Sequence, residues 1–127
     1  MDSGGQQFSV KAADGYIHLK TWGALDEAQL DAPANAALAL AKEKNIDKLL
    51  DDIREVDTSA VSIPMQAKSM GILWKLRAFK KVAIVMGESR VRTLFFSTLD
   101  ALHLDREIKF KGFDSLDEAV AWLHNQD

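Results

Sequence analysis

Cysteine is absent from the 127-residue chain. That excludes a disulfide framework, a thiolate metal site and a cysteine nucleophile, and it fits a reducing compartment. No apolar run approaches the roughly 18 residues a membrane span requires. The start, MDSGGQQ, has neither a basic region nor an apolar core, so it does not read as a signal peptide. Neither sign of charge dominates: the net charge is −3 and the isoelectric point is near 5.6, which argues against nucleic acid as a default partner. The three histidines, His18, His103 and His124, stand singly, with no H-E-x-x-H motif and no ordered Ser/His/Asp set. No nucleophile–base pair stands out, and no cofactor or metal is called for. Internal repeats and low-complexity tracts are missing too. These absences lead us to expect a non-enzymatic cytoplasmic protein without a transmembrane segment.

What is present is an ordinary globular composition, 47% hydrophobic and 28% charged. The length suits one domain that buries roughly two-thirds of its unfolded surface. We expect a flexible tail over residues 1–7 and one domain over 8–127. Runs at Phe8–Ala12 and Tyr16–Trp22 flank Asp14-Gly15, a hairpin signal for a type I′ turn. In the second run Ile17, Leu19 and Thr21 alternate with Tyr16, His18, Lys20 and Trp22, the period of a strand.

Residues 26–44 are helical in composition, with Leu30, Ala34, Ala37, Leu38 and Ala41 on one stripe. Pro33 belongs in a first turn, so the main helix should start near Asp31, after a separate short turn, and stop at Asn45. Lys48–Ile53 reads as the third strand. Ser62 is an N-cap and Pro64 a first-turn residue for a helix reaching about Leu76. That helix has two apolar stripes, Ile63/Ala67/Met70/Trp74 and Met65/Ile72/Leu76, so it needs two partners. Trp74 and Trp122 both read as core residues.

Val82–Met86 is the most continuous apolar run and the best candidate for a parallel strand buried on both faces. A helix over about 90–102 follows, then a short strand at Glu107–Phe110 and a turn at Lys111-Gly112-Phe113. Ser115 and Glu118 form a capping box for a last helix whose stripe is Leu116, Ala119, Val120 and Leu123. The order ββαβαβαβα implies an α/β fold: one mixed, mostly parallel five-stranded sheet flanked by about four helices, the first strand antiparallel near an edge.

The initial hairpin, KLLDDI, KKVAIVMG, the arginine-bearing segment after it and the closing FDSLDEAVAWL resemble the bacterial SpoIIAA-like proteins of the STAS/SEC14-like group. The resemblance covers nearly everything from residue 8. It implies a small α/β domain without known catalysis, often dimeric. A local resemblance adds to it. STAS-domain anti-sigma-factor antagonists carry Asp-Ser-Ser-Gly after the third strand and are switched by phosphorylation of the second hydroxyl. Val56-Asp57-Thr58-Ser59-Ala60-Val61 is similar, which makes Asp57, Thr58 and Ser59 a candidate phospho-switch loop with Ser59 at the modified position. Ala60 stands where that motif has glycine.

The residues themselves leave plainer readings open. Asp51, Asp52 and Asp57 form a carboxylate cluster on paper, but neighbours on a strand point to opposite faces. A strand-end carboxylate pairing with Arg54 suits the same sequence. Hydroxyls such as Thr58 and Ser59 also bond locally to backbone. Ser89, Arg90 and Arg92 open a helix after the apolar strand and are candidate anion contacts; a solvated helix start fits them as well. Lys75, Arg77, Lys80 and Lys81 suit a solvated helix end, an acidic partner or anionic lipid. Met65, Ile72, Leu76, Phe79 and Phe96 are candidate interface or ligand contacts. The expected function is a STAS-like binding or regulatory module acting through contacts with an unidentified protein partner and with itself as a homodimer. The alternative is a carrier or sensor of a small apolar, lipid-like ligand.

Overall fold

The computed structural model describes residues 6–57, 62–86 and 109–125. Strand β1 (Gln7–Ala12) turns back into β2 (Ile17–Ala24). The turn places Gly15 at φ +84°, where a side chain would be strained, while Asp14 keeps a negative φ. It is therefore not the type I′ turn expected, which needs positive φ at both central residues. Residues 6 and 7, expected in the tail, are held in place. Gln7 already pairs in β1, and the Gln6 amide donates to the Gln29 carbonyl (2.9 Å) and accepts from the Asp26 N–H (3.2 Å).

A short 3₁₀ turn (Glu27–Gln29) precedes α1 (Ala32–Lys44), and Asn45 closes the helix in the left-handed conformation, φ 56°. Pro33 sits in the first turn, where its missing N–H costs nothing. The expected stripe is the buried one: Leu30, Ala34, Ala37 and Ala41 are covered. The small alanines let the helix axis lie close on the sheet.

Strand β3 (Lys48–Asp57) is longer than expected and continues through Arg54, Glu55 and Val56. Helix α2 (Ile63–Lys75) starts at Ser62, whose hydroxyl accepts from the Met65 N–H. A 3₁₀ turn (Leu76–Ala78) leads into β4 (Lys81–Val85), buried along its whole length. Strand β5 (Lys109–Phe113) takes in Lys111, Gly112 and Phe113, which extend the strand rather than turning. Helix α3 (Leu116–His124) is capped by the Ser115 hydroxyl, which accepts from the Glu118 N–H at 3.2 Å. The helix expected over 90–102 lies outside the described residues.

The five strands form one sheet in the order β1-β2-β3-β4-β5, with β1 antiparallel at the edge and the rest parallel. Ile17, Leu19, Leu49, Val82, Ile84 and Met86 pack with Ala34, Ala37 and Ala41 of α1 and with Leu76 and Phe79. Leu50, Ala83 and Val85 project to the other face, against Ala119 and Leu123 of α3. β4 thus buries alternate side chains in two cores, which is why its sequence reads as an unbroken apolar run.

Candidate functional site at the carboxyl end of the third strand

The polar residues of β3 gather where the strand runs past its neighbour. β4 pairs with β3 only from Lys48 to Asp52. Asp51 lies between Leu19 and Ile84, two core residues, so its side chain faces the helices α1 and α2. Its Oδ1 is buried without a hydrogen-bond partner. Burial, with a smaller push from Asp52, raises its pKa to about 7.

Asp52 projects to the opposite face and is 2% exposed. Its Oδ1 accepts from the Arg54 backbone N–H (3.1 Å) and Nε (3.0 Å), and its Oδ2 from Nη2 (2.8 Å). Burial alone pushes this carboxyl up, but the side-chain and backbone bonds from Arg54 outweigh it and hold Asp52 below the usual carboxylate range. The pairing with Arg54 is the plainer of the two readings open in the sequence. Lys20 bridges to Glu55 at 3.1 Å on the same side. His18 lies beside them with Nε2 buried and unpartnered. Burial, then Lys11, lowers its pKa.

This geometry is not that of a catalytic dyad. The two carboxyls stand on opposite faces, and Asp52 is already saturated by Arg54. The hydroxyls of Ser62, Ser69 and Ser115 bond to backbone. Among the described residues no three His, Asp or Glu side chains gather as a metal site.

Asp57 ends β3 and is exposed. Thr58 and Ser59 of the candidate switch loop, Ser89, Arg90 and Arg92 of the anion site, and Phe96 lie outside the described residues. The contact set on α2 is reversed. Met65 and Leu76 are 6% and 2% exposed, and Ile72 is half-buried against the core, so this stripe belongs to the interior. Phe79 is likewise interior, though it floors a cavity of about 390 Å³ with Leu38, Ala41 and Ile46.

The outward stripe is the other one. Ile63 is 80% exposed, and Trp74, expected in the core, is 41% exposed with the Arg77 guanidinium 4.1 Å from its ring centre. Of the basic connector, Lys81 is buried: its Nζ donates to the carbonyls of Trp122 and Asn125 at the end of α3. Lys75 reaches Asn35 (3.0 Å) and Asp31 (3.8 Å) on α1. The sequence signal for the inward face was the continuation of Leu76 into Phe79 and β4. Both stripes are equally apolar, so composition alone did not separate them.

Residues 16–124 match the SpoIIAA-like family. The chain belongs to the SpoIIAA-like family. Among solved structures, this SpoIIAA-like chain is similar to an anti-sigma factor antagonist from Mycobacterium paratuberculosis. They share 17% identity with a TM-score of 0.64, over 94% of this chain and 95% of that one. It is also similar to an uncharacterized protein from Shewanella loihica with a SpoIIAA-like fold. There the identity is 24% and the TM-score 0.60, over 97% of each chain. These likenesses bear out the fold expected from the element order. No curated protein matches the chain.

Proposed function

We propose that this SpoIIAA-like chain is a non-catalytic regulatory module of the cytoplasm that works through protein–protein contacts and pairs with a second copy of itself. The observation that carries this reading is the outward stripe of α2, with Ile63 and Trp74 exposed at its two ends. Apolar side chains left open along one helix stripe are available for a partner to cover. Ala67 and the half-buried Met70 lie between Ile63 and Trp74 on the same stripe, and a Cβ built at neighbouring Gly71 meets nothing within 4 Å. A two-fold pairing would bring the same stripe of each copy together. The similarity to an anti-sigma factor antagonist supports a regulatory role through protein partners.

Asp57 leads from β3 into the Thr58–Ser59 segment, which we propose as the regulated contact. A phosphate on Ser59 adds about −1.5 to −2 charge beside the Asp57 carboxylate and changes the sign of the surface a partner meets. Affinity capture from the native cell with the Ser59→Asp and Ser59→Ala forms tests it. The switch predicts that only Ser59→Asp changes the proteins recovered; the same set from both forms counts against it.

A second reading, a carrier of a small apolar ligand, is favoured by the cavity over Phe79. Its floor of Leu38, Ala41, Ile46 and Phe79 is apolar, while Lys42, Asn45 and Asp47 make its open rim polar, so a ligand with an apolar body and a polar head fits it best. The volume falls in the range of small-molecule sites. Extra mass on the protein purified from cells is the sign that separates this reading from the first.

A further inference from the structure

Asp52 and Arg54 flank a defect in the sheet. Up to Lys20, β2 and β3 pair residue for residue, with Lys20 opposite Asp52. Beyond it Trp22 stands opposite Glu55, Gly23 opposite Val56 and Ala24 opposite Asp57. Two steps along β2 therefore match three along β3, so β3 carries one extra residue. Such bulges are rare between parallel strands and re-aim the chain that follows. Here the defect sits where β4 has already stopped pairing, so β2 alone holds the register from Ile53 onward.

We propose that Asp52 and Arg54 are a register lock: the carboxylate holds the extra residue in β3 and so sets where Val56 and Asp57, the end of the strand, fall against β2. The lock is local. The Arg54 N–H turns to Asp52 Oδ1, and the guanidinium closes on both oxygens of the same carboxylate. The carboxylate itself is walled off from water, so these bonds are not traded for solvent. The Lys20–Glu55 bridge lies across the defect but is exposed and adds little.

Without the lock the pairing runs on in the unbulged register, with Trp22 opposite position 54 and Gly23 opposite Glu55. A one-residue slip turns every following side chain to the other face. Val56, now 8% exposed, moves outward. The end of the strand shifts by about 3.3 Å along β2. The inference rests on the reading of the Asp57 end as a contact surface only for its functional consequence. The register itself is measured on the free protein.

The test is NMR on the isotopically labelled chain, comparing wild type with the double variant Asp52→Leu/Arg54→Leu, which removes both charges together with the oxygen that accepts the Arg54 N–H. Arg54→Lys, which keeps the charge but not the fork, serves as a milder second variant should the double variant not fold. The lock predicts that cross-strand contacts of Trp22 move from Glu55 to position 54. Amide exchange at Glu55, Val56 and Asp57 should accelerate by about tenfold or more, while Leu49, Leu50 and Val82 keep their protection. Arg54→Lys should show the same pattern more weakly. Trp22 still opposite Glu55 with unchanged exchange in either folded variant overturns the lock. So does a uniform loss of protection across the sheet, which marks Asp52 as a stability residue only. Register is read on the free protein and the Ser59 switch on the partners recovered, so either can fail while the other stands.

Discussion

Asp51 and Asp52 are neighbours in the chain, yet their carboxyls shift in opposite directions. Asp51 faces the core and is raised to about 7, so the native state holds its proton after the unfolded chain has released it. Its contribution is complete below the unfolded value and is lost as pH rises toward 7, at up to about 1.4 kcal/mol per pH unit. Asp52, held low by Arg54, contributes above the ordinary carboxylate range and loses that contribution as the medium is acidified. Asp51→Asn should therefore gain stability relative to wild type on going from pH 5 to pH 8. Urea unfolding at the two pH values reads this; an equal difference at both would contradict it. Lys81 shows a different residue-scale economy. One buried ammonium satisfies two carbonyls at the end of α3 and lies 4.8 Å from the Trp122 ring centre. Lys81→Met should cost about 1.5–3 kcal/mol, the usual loss of bonds to a charged donor. Trp122 fluorescence during urea unfolding follows it.

At the scale of elements, α2 divides its work between two apolar faces. Met65 is buried, and Ile72 and, just past the helix, Leu76 pack in the core against the sheet, while Lys68 donates to the Glu27 carbonyl at 2.7 Å and Lys75 reaches Asn35 on α1. Leu76→Asp should unfold the domain, because an unpaired carboxylate in that site costs more than about 4 kcal/mol. Loss of the cooperative thermal transition is the expected readout, and a folded Leu76→Asp protein would mean the face is misassigned. Much of this level was legible in the sequence. The short turn before α1, the Asp31 start, the Asn45 stop and the Ser62 and Ser115 caps all follow from local chemistry. What was not legible depends on neighbours. Residues 54–57 carry too many charges to read as strand, and they become one because β2 runs alongside them. Lys111 and Gly112 resemble a turn but pair with Ala83 and Ile84 of β4. The inward face of α2 was undecidable from periodicity, since two stripes of equal hydrophobicity differ only in what stands opposite them.

At the scale of the whole molecule, the sheet order follows chain order, so each crossover joins adjacent strands. The consequence is a helix-covered face carrying α1 and α2 and a second face on which α3 lies. The Asp52–Arg54 pair stands on this second face, and the strand they hold ends at Asp57. On the proposed reading the chain acts by presenting surfaces, and the one it offers to a second copy is the Ile63–Trp74 stripe. The most direct measurement is native mass spectrometry of the protein as purified from cells, alongside the Trp74→Asp variant. The account predicts a dimer of unmodified or phosphorylated chains for the wild type and a folded monomer for Trp74→Asp. A wild-type monomer, a dimer that survives Trp74→Asp, or a bound mass of a few hundred daltons would contradict it.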